Sequence, residues 1–169
     1  LPAIETLGSV SVICSDKTGT LTRNEMMAAA VLTSRHLFTL EGDGYAPSGS
    51  LKLNGVTADA SSHVVLGELA RAAALCNDAA LRKQADVWMV EGDPMEGALL
   101  SCAAKLGMDI SDGRAAWTRT DAIPFDSRHR IMATLNHDHE GHTCIFVKGA
   151  PERLLQMCAS QRDADGETE

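Results

Sequence analysis

The chain has 169 residues, of which 44% are hydrophobic and only 4% aromatic, so global disorder is excluded and an aliphatic core is expected. The net charge of −8 argues against partners such as nucleic acid or anionic membrane surfaces, because both require a basic face. No run approaches the ~18 consecutive apolar residues of a membrane-spanning helix. The five cysteines include no CxxC pair, which indicates reduced, mostly buried thiols rather than a metal site.

The first third of the chain predicts short strands. Residues 9–14 (SVSVIC) form a β-branched run typical of a buried strand, and the turn DKTGT follows it. Residues 26–33 and 36–42 predict two further strands. Residues 43–56 are rich in Gly and Ser and predict a loop with at most one turn.

Two helices are predicted next. Residues 61–76 place Val65, Leu69, Ala72, Ala73 and Cys76 on one apolar face. Residues 91–107 predict a helix with Asp93 as its N-cap, Pro94 in its first turn and Glu96 completing a capping box. The apolar face of this second helix carries Met95, Ala98, Leu99, Cys102, Ala103 and Leu106.

After Thr118 the apolar residues alternate, which is typical of strands. Residues 118–125, 130–138 and 142–149 predict three strands, the last two joined by a hairpin turn in HDHEG. Residues 151–160 predict a helix that begins at a proline. Antiparallel strands with segregated helices indicate the α+β class.

Asp16 is the first candidate for chemistry. A carboxylate at the end of a buried strand can attack a phosphorus atom, and Lys17, Thr18 and the backbone N–H groups of the turn can position phosphoryl oxygens. The alternative is an aspartate in an ordinary turn.

The longer string DKTGTLTRNE resembles the phosphorylation motif of the P-type ATPases, which form an aspartyl phosphate. Phosphatases of the surrounding dehalogenase superfamily carry a second Asp two places after the nucleophile, where this chain has Thr18. Because Thr cannot act as the general acid and base of hydrolysis, the resemblance implies a phospho-aspartate that persists.

Four further blocks are similar, in the same order, to the nucleotide-binding domain of that family: LCNDA, GDPMEGALL, IPFDSRHRIMATL and FVKGAPERLL. The sequences of these motifs are most similar to those of the type II cation pumps, the calcium-pump-like branch. The resemblance implies an antiparallel sheet flanked by helices over residues 25–169, incomplete at its C-terminal end, after an N-terminal stub of the phosphorylation domain in residues 1–24.

Carried over by position, the resemblance implies an ATP site. Phe125 would stack on adenine, Lys148 would form the floor, Arg130 would lie near the phosphates, Glu96 would face the adenine amino group, and Gly149 would allow close approach. Each role has a structural alternative: Phe125 could be a core aromatic, Lys148 a solvated lysine and Arg130 a surface arginine. Glu96 could serve only in the capping box.

Two positions depart from the family pattern. Arg130 stands where a Lys is usual, and Arg keeps the charge but changes its geometry. Met95 stands where Thr is frequent, and its place on the apolar stripe of the helix predicts a core residue. The hairpin histidines His137, His139 and His142 raise a metal alternative, which their expected exposure disfavours.

The resemblance implies a parent pump that uses ATP and Mg²⁺. Asp16 and Thr18 would bind the Mg²⁺ ion, and Asp16 would carry the phosphoryl group. This chain has no TGE-like loop and no GDGxND string, so we expect a monomeric cytoplasmic piece of an integral membrane protein that binds ATP weakly and catalyses nothing. Its partners would be the phosphorylation, actuator and membrane domains. The alternatives are a free-standing dehalogenase-superfamily phosphotransferase and a non-catalytic interaction domain that has lost ATP binding.

Overall fold

The computed structural model of the protein describes residues 25–163. The predicted strand over residues 9–14 and the candidate residues Asp16, Lys17 and Thr18 lie outside that range, and they stay predictions. None of the helices in the described range is both long and apolar enough to cross a bilayer.

The first sheet is an antiparallel meander of four short strands: β1 (Ala30–Leu32), β2 (Leu37–Leu40), β3 (Leu51–Leu53) and β4 (Val56–Thr57). Strands β1 and β2 confirm the strands predicted over residues 26–33 and 36–42. The loop predicted over residues 43–56 is wrong at its end, because β3 lies inside it. Asn54 and Gly55 both have positive φ, 52° and 79°, as a tight hairpin turn requires, and the dipeptide Asn-Gly was the available signal.

Helix α1 (Val64–Leu75) follows a short 3₁₀ turn (Ala60–Ser62) and confirms the first predicted helix. Its fully buried residues differ in part from the predicted stripe, and they are Leu66, Ala70, Ala73, Ala74 and Leu75. The predicted residues Leu69 and Ala72 are half-buried and line a cavity instead.

A two-stranded hairpin of β5 (Ala80–Gln84) and β6 (Val87–Glu91) was not predicted. Its turn residues Ala85 and Asp86 adopt positive φ, 46° and 66°, without a glycine. Sequence patterns missed the hairpin because its turn lacks the residues that normally mark one.

Helix α2 (Pro94–Lys105) confirms the second predicted helix, and Asp93 is its N-cap, accepting hydrogen bonds from the N–H groups of Met95 (2.9 Å) and Glu96 (3.1 Å). The short helix α3 (Ile110–Ala116) was not predicted; Asp109 caps it by accepting from the N–H of Asp112 at 2.9 Å.

The second large sheet is antiparallel and contains β7 (Thr118–Asp126), β8 (Ile131–His137) and β9 (Thr143–Gly149), followed by helix α4 (Pro151–Met157). All three predicted strands and the helix are confirmed. In the β8–β9 turn the Asp138 carboxylate accepts from the N–H groups of Glu140 (2.9 Å) and His142 (2.8 Å).

The core lies between the first sheet and helices α1 and α2, and it is aliphatic except for Phe38. The α+β class is therefore confirmed. Cys76 and Cys102 are buried as expected, whereas the expectation of burial is wrong for Cys158, which is exposed.

Candidate nucleotide-binding site

An open cavity of about 780 Å³ lies where β1, α1 and α2 approach the ends of β7 and β9 and the start of α4. We call it the apolar cavity. Four of the five residues predicted to bind nucleotide line it: Phe125, Arg130, Lys148 and Gly149. The fifth, Glu96, contacts the ammonium group of Lys148. Its other walls were not predicted from the sequence and include Ala28, Ala30, Val31, Leu32, Leu69, Ala72, Leu99 and Leu154.

Phe125 lies near the C-terminal end of β7 and is 56% exposed. The alternative of a core aromatic is therefore wrong. An exposed ring at the wall of an apolar cavity can stack on a flat aromatic ligand, because every nucleobase presents a π-face.

Lys148 lies near the end of β9, opposite Met132 on β8, and its side chain is only 14% exposed. Its ammonium nitrogen contacts Oε1 of Glu96, whose side chain is 11% exposed. The alternative of a solvated lysine is therefore wrong. A buried ion pair of this kind is sensitive to loss of either partner, since the remaining charge would be left without compensation.

Glu96 does not complete the predicted capping box. Its Oε2 accepts a hydrogen bond from the backbone N–H of Asp78 at 3.1 Å, and its Oε1 contacts Lys148. The capping interpretation fails because two more distant partners hold the carboxylate on the cavity side. Sequence spacing alone could not reveal this, since Asp78 and Lys148 are separated from Glu96 by 18 and 52 positions.

Arg130 follows β7 in a tight turn and adopts a left-handed backbone with φ of 58°. Its N–H donates to the carbonyl of Asp126 at 2.6 Å, and its guanidinium pairs with Glu152 at 2.6 Å in the first turn of α4. Both side chains of that pair are half-exposed. A guanidinium in this position can donate hydrogen bonds to a phosphate oxygen while it remains near Glu152.

Gly149 has a structural role in the turn after β7. A Cβ at this position would lie 2.3 Å from the carbonyl oxygen of Arg130, so no other residue fits without displacing the turn. The same carbonyl accepts a hydrogen bond from the N–H of Ala150 at 2.9 Å. Gly149 therefore lets the end of β9 lie against the turn between β7 and β8 at the cavity wall.

Comparison with known proteins identifies the family of the chain. The family model described as P-type ATPase, cytoplasmic domain N, matches residues 65–169. The chain belongs to this family.

Curated relatives extend the likeness of this N domain beyond the family match. A cation-transporting ATPase pma1 from Synechocystis sp. is 44% identical over 99% of the chain, and a calcium-transporting ATPase from Bacillus subtilis is 37% identical over 92%. A calcium-transporting ATPase type 2C member 2 from Homo sapiens is 40% identical over 94%. The chain spans 19%, 18% and 17% of the lengths of these three proteins.

Met95 in the N domain is not a core residue, and that prediction is wrong. It lies in the first turn of α2, is 45% exposed and lines the apolar cavity. The helical periodicity predicted a core position because Met95 shares a face with buried residues, but the first turn of α2 borders the cavity instead. Cys102, on the same helix, lines the cavity from a buried position, and burial raises the pKa of its thiol to about 11.

Of the three hairpin histidines, only His142 belongs to a cluster of metal-ligating side chains in the described part of the chain. It contacts Asp138 through Nδ1 at 2.7 Å, with Glu140 nearby, whereas His137 contacts the hydroxyl of Thr143 at 3.0 Å. His142 and Glu140 are exposed and Asp138 is half-buried, and exposed acidic groups of this kind are common without a metal.

Proposed function

We propose that this chain is the ATP-binding part of a cation-transporting P-type ATPase. The observation that carries the proposal is the meeting, at one apolar cavity, of an exposed aromatic ring, Phe125, with a buried ammonium group, Lys148. A purine needs a flat apolar wall and a few directed polar groups, and this combination is what small-molecule sites usually offer.

Each residue has a physical role in the proposed site. Stacking on Phe125 would contribute on the order of 1–3 kcal/mol. Lys148 and Glu96 offer a donor and an acceptor to the edge of the base, Gly149 allows close approach, and Arg130 offers a cation to the phosphates at the cavity mouth.

In the parent pump, we infer that the Asp16 carboxylate attacks the γ-phosphorus of ATP. A bond forms between carboxylate oxygen and phosphorus, the bond to the bridging oxygen breaks, and ADP leaves with the electron pair. Lys17 and Thr18 would position the phosphoryl oxygens, and Asp16 and Thr18 would hold the Mg²⁺ ion that this chemistry requires. The free energy would drive cation transport, calcium being the cation named for two relatives.

The names of the relatives also support a place for the chain in a larger assembly. We propose that it is a cytoplasmic domain of an integral membrane pump, and that its partners are the phosphorylation, actuator and membrane domains. Alone, it is expected to be monomeric and to bind ATP with a Kd of roughly 1 mM, about −4 kcal/mol.

A titration of the isotope-labelled chain with ATP, followed by NMR, tests the proposal. Shifts are expected first at Phe125, Lys148 and Gly149, and no shifts there at several millimolar ATP would contradict binding. Phe125→Ala should weaken ATP binding about tenfold, because one stacking surface is lost. The matched control is Ile123→Ala on the same strand, which removes an equally exposed side chain that does not line the cavity.

The same samples distinguish the two alternatives. A free-standing phosphotransferase predicts Mg²⁺-dependent release of phosphate by this chain, whereas we expect none. A non-catalytic interaction domain predicts that Phe125→Ala leaves the affinity for ATP unchanged.

A further inference from the structure

A buried asparagine, Asn77, lies in the segment that joins α1 to β5 and contacts the backbone of Glu96. The side-chain amide nitrogen of Asn77 donates to the carbonyl of Ala73 at 3.0 Å and to the carbonyl of Glu96 at 2.9 Å. Its amide oxygen accepts from the N–H of Ala79 at 2.9 Å. Asn77 thus connects the end of α1, the first turn of α2 and the entry to β5.

The next residue carries this connection to the ion pair. The backbone N–H of Asp78 donates to Oε2 of Glu96 at 3.1 Å, while Lys148 contacts Oε1. Each carboxylate oxygen therefore has one partner, and the two partners come from different sides. The direction of the Asp78 N–H depends on the backbone of residues 77–79, which the Asn77 side chain holds in place.

Two arginines fix the same segment from outside. Arg119 donates to the carbonyl of Asn77 at 2.7 Å and pairs with the Asp78 carboxylate at 2.6 Å. Arg114 donates to the carbonyls of Asn77 at 3.2 Å and Ala79 at 3.1 Å. The two guanidinium groups thus satisfy backbone carbonyls of the segment just beyond the end of α1.

We infer that Asn77 is a positioning residue of the nucleotide site: it aims the Asp78 N–H at Glu96 and so orients the carboxylate toward Lys148. The inference rests on the proposed function, since it assigns Asn77 a role at that same site. No other side chain of similar size offers two amide donors and one acceptor in this arrangement. Aspartate would set a carboxylate against two carbonyl oxygens, and alanine would leave buried groups unpaired.

The ligand-free chain provides the first test, and it needs no ATP. In protein labelled with ¹⁵N and ¹³C, a scalar coupling across the hydrogen bond is expected between the Asp78 amide nitrogen and the Glu96 carboxylate carbon. The coupling should be weaker or lost in Asn77→Ala, or in Asn77→Ser if the first variant does not fold. Absence of the coupling from the unmodified chain, or an unchanged coupling in the variant, would overturn the inference.

Affinity for ATP provides the second test. Under conditions in which the variant is folded by its NMR spectrum, Asn77→Ala is expected to raise the Kd for ATP about fivefold to tenfold, as loss of one buried hydrogen bond predicts. If Asn77→Ala does not fold, Asn77→Ser, which keeps one hydroxyl donor and acceptor, is measured instead and should show a smaller increase.

The matched control is Ser101→Ala. Ser101 is as deeply buried as Asn77, but its hydroxyl donates to the carbonyl of Ala46 at 2.9 Å, and neither Ser101 nor Ala46 lines the apolar cavity. The control variant should lose stability while its Kd for ATP stays within about twofold of the unmodified chain. Equal affinities for the Asn77 and Ser101 variants would overturn the inference. If the unmodified chain does not bind ATP, the proposed function fails, and the difference in coupling between the unmodified chain and the Asn77 variant then decides whether Asn77 positions Glu96.

Discussion

Two ion pairs border the apolar cavity, and they differ in burial. Glu96 and Lys148 form a pair whose side chains are both less than one-sixth exposed, whereas Arg130 and Glu152 form a pair whose side chains are half-exposed. Loss of one partner leaves an uncompensated charge in the first pair, while water replaces the partner in the second. The buried pair should therefore govern folding and base recognition, and the exposed pair should govern the phosphates.

Lys148→Met is expected to have the largest effect. It leaves the Glu96 carboxylate buried without its cation, so the free energy of unfolding should fall by about 3–5 kcal/mol. Urea denaturation measures this change.

The double variant Lys148→Met/Glu96→Leu separates charge from packing. It should recover most of the lost stability, because no charge is then buried, but it should not recover ATP binding. A double variant as unstable as Lys148→Met would show that burial of the pair is not the cause.

A second contrast of burial concerns the thiols and predicts a pH dependence. Burial raises the pKa of the Cys102 thiol to about 11 from its ordinary value of about 9. Between these values the unfolded chain loses the proton and the folded chain keeps it, so stability must fall as pH rises from about 9 to about 11, by about 2–3 kcal/mol at most.

Urea denaturation at several pH values, compared with Cys102→Ala, measures that contribution. The variant lowers stability at every pH through its cavity, but its stability should fall less steeply above pH 9. If stability falls equally steeply with pH in the unmodified chain and in Cys102→Ala, the fall is not caused by Cys102. The exposed thiol of Cys158 serves as an internal control, since it should react with an alkylating reagent at pH 8 while Cys102 does not.

Arg130→Gln should lower the free energy of unfolding by no more than about 1 kcal/mol, because its ion pair is half-exposed. It should instead weaken binding of ATP more than binding of adenosine, since it removes a cation from the mouth of the cavity. Comparison of the two ligands by NMR titration measures this, and equal losses would place Arg130 outside the phosphate site.

Glu152→Gln should have the smallest effect and the opposite sign. It releases Arg130 from its partner and removes a negative charge near the phosphates, so ATP should bind about two- to threefold more tightly at low salt, an effect that 0.5 M salt should abolish. An affinity that is unchanged at low salt would show that the Arg130–Glu152 pair does not compete with nucleotide.

Much of the fold was predictable because its signals are local. Alternation of apolar residues identified β7, β8 and β9, and Asp93 and Pro94 marked the start of α2. The β5–β6 hairpin was missed because its turn carries Ala85 and Asp86 instead of a glycine. The core role of Met95 was wrong because a helical period says which residues share a face, not how far the packed core extends along it.

For the candidate site, sequence motifs named Phe125, Arg130, Lys148 and Gly149, but not what each one contacts. The amino-acid order by itself determined the longer helices, the strands β7 to β9, the cap of α2 and the family, since these depend on residues close together in the chain. Tertiary structure decided that Glu96 pairs with Lys148 rather than with its own helix end, that Phe125 is exposed, and that the Asn77 amide contacts the Glu96 carbonyl. Those outcomes depend on burial and on partners tens of residues apart, where the cost of an unpaired charge or amide selects the arrangement.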